Sequence, residues 1–545
     1  INEDYIHSDS SLSARQLNIN NNAILSIGDQ PLIVSENITI ETGSEIRLIG
    51  TSQLISTHSS ISKVSGRGKL HVDQNSEVAS TYRYNYLSSP VNTIGQSTFT
   101  LANVIKDGTI PTSNSSQPSD IKFITEYNGS ATSPISISER WLYTYDSSTL
   151  WREINSTTTI SETDGFTFKG PGQEQNYTFV GTPKDGNLTT NIAAGGYYLV
   201  GNPYASAIRA KKFIEDNLDA TTATLYFWDN YGEDPTNHEN ADDYGGYATI
   251  NASMSVASIE GDLVPGDYIA IAQGFFIIGS PDGGNIVFNN SQREYKIEGD
   301  DSILFRDTEQ DTQNMLPIFK LGLEYTTNEY FSLNRQIGIS FQENNSFSYD
   351  KGYDSAIFDL HPTDIFWKFP GDDTKYVIAG VQELSIDLEI PLGLKIELDG
   401  EVLIRLDEQQ HIDENIYLKD NLTGITQKLT DNEQGIRLLL SSGTYLERFT
   451  IVFSESSLNI ANHNLVNNDV SVYTDHLSNE LILENNLNLS IKKVVVYNIL
   501  GQSIKTWDNL GKDLEIRLKT IVPKAIYIVK IDTENGQTIK KIHIN

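Results

Sequence analysis

The feature that most constrains this chain is a hydrophobic pattern that returns every 21 residues near its start. Leu17 and Ile19 recur as Ile38 and Ile40, Leu25 and Ile27 as Ile46 and Leu48, and Ile33 and Val34 as Leu54 and Ile55. A weaker third copy includes Ile61 and Leu70. Within each copy the apolar residues alternate, so each short strand has one face to bury. A single copy cannot cover that face, but the next copy can. The pattern predicts β-solenoid rungs over residues 1–80. Leu25, Ile27, Ile46 and Leu48 then point inward and stack, and Glu45 points outward. A β-meander with accidental spacing is the alternative. Solenoids need caps and generally at least three repeats. The expectation is therefore that the natural chain continues upstream of Ile1, where no signal peptide is present.

At 545 residues the chain exceeds one ordinary domain, and about 100–200 residues per domain predicts several. Its 38% hydrophobic content can build cores. With 39 Lys+Arg against 72 Asp+Glu, the formal net charge is -33. Such a surface repels nucleic acid and anionic lipid, so neither is expected as a partner. There is no cysteine, which excludes disulfides, thiolate zinc sites and a cysteine nucleophile. The longest apolar run, Tyr268–Gly279, falls short of the about 20 residues a membrane-spanning helix needs.

Strand patterns dominate. Runs such as YTFVGT (177–182), GYYLVGNP (196–203), LYFWDN (225–230) and FTIVFSE (449–455) lie between Gly, Asn, Asp and Ser turns. One helix is expected in SAIRAKKFIEDN (206–217), capped by Ser206, with Ile208, Phe213 and Ile214 on its apolar side. The predicted class is all-β. A β-rich domain with one short helix spans 81–300 and includes an aromatic group from Trp141 to Phe168. A β-sandwich follows at 301–455, where KYVIAGV (375–381) and GLKIELDG (393–400) alternate. A polar linker occupies 456–469, and a small Ig-like sandwich closes the chain at 470–545, with Asn535-Gly536 suiting a hairpin turn.

No Gly-x-Ser-x-Gly elbow, phosphate-binding loop or His-Glu-x-x-His motif occurs. The nine histidines are scattered, and His238-Glu239 lacks a second histidine. One acidic loop, 229–246, offers Asp229, Glu233, Asp234, Asp242 and Asp243 as calcium ligands, since calcium takes several oxygens. Its spacing is not that of an EF-hand, and a solvated acidic loop is the alternative. No other cofactor is expected. The flanking aromatics Tyr226, Trp228, Tyr231, Tyr244 and Tyr247 are candidates for stacking on a sugar, although strand alternation buries about half of any such set.

The last block carries VYNILGQ (496–502), AIYIVKI (525–531) and KKIHI (540–544). In order and spacing these resemble the C-terminal sorting domain of type A substrates of the Bacteroidota type IX secretion system. The matching positions are Val496, Tyr497, Asn498, Gly501, Gln502, Tyr527, Val529, Lys540 and Lys541. Two positions depart from the family: Thr474-Asp475-His476 stands where it has Pro-Asn-Pro, and Ala525 where it has Gly. The resemblance implies export through an outer-membrane translocon, with shuttle and sortase machinery as partners, and an extracellular or outer-surface location. Segments such as YYLVGNPYASAI (197–208) and KGYDSAIF (351–358) likewise resemble modules of large secreted flavobacterial surface proteins. In that group an Asp-Ser/Thr-apolar rule implies O-linked glycans at Ser302 and Ser355. The expected function is a non-enzymatic, structural or adhesin-like surface protein whose terminal domain is its export and anchoring signal. The alternative is the carbohydrate-binding accessory region of a secreted polysaccharide-degrading protein, with a surface glycan or other extracellular ligand as partner. A third reading makes the middle block an unrecognised hydrolase.

Overall fold

A computed structural model describes the chain except for residues 149, 232–234, 240–244, 262–263, 298–315, 329–330, 430–434, 455–469, 476–479, 486–488, 499–501, 521, 524, 534–536 and 545. It is almost entirely β and divides into two compact units, Ile1–Glu455 and Ser456–Asn545. Among the described residues no helix is long and apolar enough to cross a membrane.

The first unit begins with three parallel stacks. One contains Tyr5–His7, Ile24–Gly28, Glu45–Ile49 and Lys69–Ser76; the second Leu12–Ala14, Pro31–Val34 and Gln53–Ser56; the third Leu17–Ile19, Ile38–Ile40 and Val64–Gly66. Leu25 pairs with Ile46 and Ile27 with Leu48, and all four side chains are fully buried. The 21-residue offset holds here and at Leu17↔Ile38. It slips by one in the second stack, where Leu32, not Ile33, lies over Leu54. The reason is a longer corner: Gly50, Thr51 and Ser52 connect one pair of strands where Asp29 and Gln30 connect the pair before it. Asp29 Oδ1 accepts the Thr51 amide across that corner at 3.0 Å.

The outward face of the first stack is not solvent-exposed as the alternation alone implies. The Arg47 side chain is fully buried there, with Nη1 donating to the Ser113 carbonyl at 2.8 Å and Nε and Nη2 to Glu45 Oε2 at 2.9 and 2.7 Å. Buried His71 lies 3.4 Å from the same carboxylate. The chain around Thr112 closes this face by bonding to Asp73. Glu45 is therefore the acceptor of a covered ionic cluster.

The boundary expected at residue 80 is crossed by pairing. Lys69–Ser76 runs antiparallel to Gln175–Pro183 over seven residues, from Leu70↔Gly181 to Ser76↔Gln175. One core then joins Leu25, Ile46 and Leu70 to Phe99, Phe166 and Phe179. A nine-stranded sheet follows, containing Tyr84–Leu87, Tyr143–Asp146, Leu150–Glu153, Phe166–Lys169, Tyr197–Gly201, Thr221–Asn230, Gly245–Ile250, Ser255–Val256 and Gly274–Gly279. The helix covers only Ala210–Asp216, capped by Arg209 without a side-chain bond. Ser206 does not cap it: fully buried, it takes Arg293 Nε at 3.2 Å on its hydroxyl and Asn202 Nδ2 on its carbonyl. Ile208 sits in a preceding strand, whereas Phe213 and Ile214 are buried as expected.

The expected boundary near residue 300 is also bridged, because Met254, Val256 and Ile259 belong to the core of the later strands. Those strands form one hydrogen-bonded, eleven-stranded sheet, not two separate ones, around a sandwich-like core. Tyr376–Val381 is buried at all six positions, so its sequence reads as a run and not as alternation. The second unit has a three-stranded and a four-stranded sheet around their own core. The expected linker and the Asn535-Gly536 turn lie outside the described residues.

Two outcomes are expected. Ile46→Asp places an unpaired charge inside the stack and should cost roughly 3–5 kcal/mol, measured by urea unfolding. The cluster around Glu45 adds a pH dependence. The close approach of His71 at 3.4 Å, against the opposing cost of burial, and then the hydrogen bonds from Arg47, lower its carboxyl from 4.5 to about 2. The carboxylate is favoured in the folded state, so its contribution is complete above pH 4.5 and is lost as pH falls towards 2. Glu45→Gln should be less stable than the parent at pH 7 and converge with it near pH 2.

Candidate functional site

The nine-stranded sheet sorts its side chains by parity. On Thr221–Asn230, Leu225 and Phe227 face the core around the helix, with Phe213 and Ile214, and Tyr226 and Trp228 face the other way. On Gly274–Gly279, Phe275 and Ile277 join that core, while Phe276 and Ile278 join the aromatic side. The same rule places Tyr247 opposite Ala248 and Ile250. The result is a face of mutually packed rings.

Tyr86 stacks on Trp228 at 5.5 Å with an interplanar angle of 7°. Tyr247 meets Trp228 edge-on at 5.2 Å, and its hydroxyl lies 3.1 Å from that of Tyr86. The indole of Trp228 lies across Gly245, where an added Cβ would come within 2.0 Å of Cζ2. Only glycine permits that position, and Asn230 Oδ1 holds the indole by accepting Nε1–H at 3.1 Å. Trp151 stands edge-on to Tyr145 and Phe276 and leaves 44% of its surface exposed. Edge-to-face packing of this kind fixes ring orientation.

These rings border an open pocket of about 500 Å³, lined by Tyr84, Tyr86, Tyr143, Trp151, Trp228 and Tyr247, together with Asp359 and His361. The two polar residues arrive from the other sheet, held by a buried guanidinium. Arg335 donates from Nε and Nη2 to Asp364 at 2.9 and 3.0 Å and from Nη1 to Asp359 Oδ1 at 3.2 Å. Asp359 Oδ2 takes the Tyr247 amide at 2.9 Å, and Asp364 takes the His361 amide at 2.9 Å. Burial, with Arg335 beside it, pushes the His361 imidazole down. It is neutral at pH 7 and offers one donor and one acceptor. The pocket thus combines flat apolar rings with directional polar groups that are already oriented.

The residues expected from sequence fall out unevenly. Of the five candidate stacking aromatics, Trp228 and Tyr247 reach the pocket; Tyr143 and Trp151, from the earlier aromatic group and not candidates, line it too. Tyr226 is buried, with its hydroxyl on the Ala356 carbonyl; Tyr231 packs on the neighbouring core; Tyr244 lies outside the described residues. Asp359 and His361 were not anticipated, because nothing local ties them to strands more than 100 residues earlier. Of the calcium candidates, Asp229 is buried and accepts the Ser258 hydroxyl at 2.7 Å. Glu233, Asp234, Asp242 and Asp243 lie outside the described residues. Among the described residues no group of three or more acidic or histidine side chains could hold a metal.

Ser355 is not a glycan acceptor as folded. It is fully buried, bonded to Thr224 Oγ1 at 2.9 Å and Asn251 Nδ2 at 2.9 Å, so a sugar there would have to open the sheet. Ser302 lies outside the described residues. In the second unit Val496 pairs with Val529 and Asn498 with Tyr527 on adjacent strands. Val496, Val529 and Tyr527 are core. Asn498 and Gln502 are joined by hydrogen bonds of 2.9 and 3.0 Å; Gly501 lies outside the described residues. Tyr497 and Lys540 are half-buried and Lys541 is exposed.

The comparisons with known proteins give one family. No curated protein matches the chain. Among solved structures, Tp47, the 47-kilodalton lipoprotein of Treponema pallidum, aligns at a TM-score of 0.12 and 7% identity over 62% of this chain and 92% of that one, a likeness too slight to carry an argument. Residues 1–453 match the family model described as a domain of unknown function, DUF8693, and the chain belongs to that family.

Proposed function

We propose that this DUF8693 protein is a non-catalytic, glycan-binding protein of the outer cell surface. The observation that carries the reading is the pocket of six aromatic residues with Asp359 and His361 at hand. A pyranose has an apolar face that matches an aromatic ring and a rim of hydroxyls that needs donors and acceptors. Trp151, 44% exposed, supplies the first, and Asp359, His361 and the tyrosine hydroxyls the second. Recognition without turnover is supported by the state of the polar groups. Asp359 is tied to Arg335 and to a backbone amide, which suits a fixed acceptor better than a group that exchanges protons.

The parallel stacks are read as β-solenoid rungs that buttress the domain carrying the site. The terminal unit is read as an Ig-like sorting domain that addresses the chain to the type IX translocon and its sortase machinery. Support for the latter is that Val496–Asn498, Ala525–Ile531 and Lys540–Ile544 lie on three neighbouring strands. Calcium is not required by this reading.

A glycan array probed with the full chain should show binding to a restricted set of polysaccharides, and Trp151→Ala should weaken it at least about tenfold, since one stacked ring is worth about 1.4 kcal/mol. Release of sugar from the bound polysaccharides would instead make the pocket an active site. Removal of residues 470–545 should leave the rest folded but retained inside the cell, read by surface proteolysis; normal surface display would end the sorting-domain reading.

A further inference from the structure

A second opening lies beside the first, of about 630 Å³. Its walls include Tyr197, Tyr226, Tyr349 and Tyr376, of which Tyr197 and Tyr349 are 40% and 42% exposed. Three carboxylates also line it: Asp354, Asp372 and Asp373. No lysine or arginine is among its described lining residues. Among the described residues these acids make one ion pair, Lys368 with Asp373, at 3.7 Å and on a fully exposed carboxylate, where such a pair is weak. Asp354 is held by the amides of Asp350 and Gly380, and Asp372 by the Tyr376 hydroxyl and the Thr374 amide.

Phe358 packs against rings that line each of the two openings. Phe358 is 4.3 Å from Tyr247 on one side, and 4.7 Å from Tyr226 and 5.4 Å from Tyr197 on the other. Tyrosine faces and carboxylates without a buried cation among them attract an ammonium group, through the ring quadrupole and through charge. We propose that both openings form one binding surface for an amino-sugar polymer, with a pyranose ring stacked in the first and a protonated amine held in the second. This rests on reading the first opening as a sugar site. The Asp354 carboxyl agrees with a missing countercharge: burial, with Asp350 and Asp372 adding to it, pushes it up to about 7.

The test is calorimetry on the full chain at pH 7 with three β-1,4-linked hexasaccharides, of glucosamine, of N-acetylglucosamine and of glucose. The glucosamine hexamer should bind about tenfold tighter than the other two, the scale of one cation–aromatic contact. Asp372→Asn with Asp373→Asn should abolish that preference and leave the glucose hexamer unchanged. Glu383→Gln with Asp387→Asn, exposed acids lining neither opening, removes the same charge and should keep the preference. This separates the pocket from general attraction to a chain of net charge -33. Equal binding of all three sugars, or equal loss in both double variants, overturns the second site and leaves the first intact. No binding by any of them overturns both.

Discussion

The seven-residue antiparallel pairing between Lys69–Ser76 and Gln175–Pro183 is the join on which the first unit depends. A parallel stack ends in a strand whose amides and carbonyls have nothing beyond them, and such an edge invites pairing with another chain. Here the edge is used up within the molecule. The same partner strand then pairs Ile105–Asp107, so the stack is continued sideways into the next region and not capped. Phe179, on that strand, shares a core with Leu70 and Val72. A single family model spanning residues 1–453 agrees with a unit that cannot be cut at the stack's end.

Legibility in the sequence followed the range of the interaction. The pairings of Leu25 with Ile46 and Leu17 with Ile38 were readable because these parallel strands pair equivalent positions of successive copies at a fixed offset. The slip at Leu32 was not, because a corner of three residues buries as well as one of two, and hydrophobicity does not count residues in a turn. Ser206 looked like a cap on local grounds. Its hydroxyl and carbonyl are instead claimed by Arg293 and Asn202, and tertiary demand overrode the local rule. Glu45 shows the same logic: alternation put it outward, and the chain near Ser113 then covered the outside.

The aromatic face was half legible for a different reason. Alternation announces that Tyr226 and Trp228 share one side of a strand and Phe227 the other, but not which side is covered. Tyr226 is covered and Trp228 is not fully so, because Ala356 and Phe358 of the later region reach the first ring. The polar half of the pocket could not be read at all. Asp359 and His361 gain their positions through Arg335, a residue whose burial only the assembled sheets reveal.

That guanidinium links fold and site energetically. Arg335 is fully buried between Asp359 and Asp364, and loss of one partner from such a cluster leaves a charge in low dielectric, typically at a cost of about 3–5 kcal/mol. The cluster therefore resists rearrangement, and the groups it orients are fixed before any ligand arrives. Trp228 is fixed in the same way by Gly245 beneath it and Asn230 beside it. A pocket built from parts this constrained gives little conformational entropy away on binding. This rigidity ties the chemistry of the cleft to the packing that holds the nine-stranded and eleven-stranded sheets together.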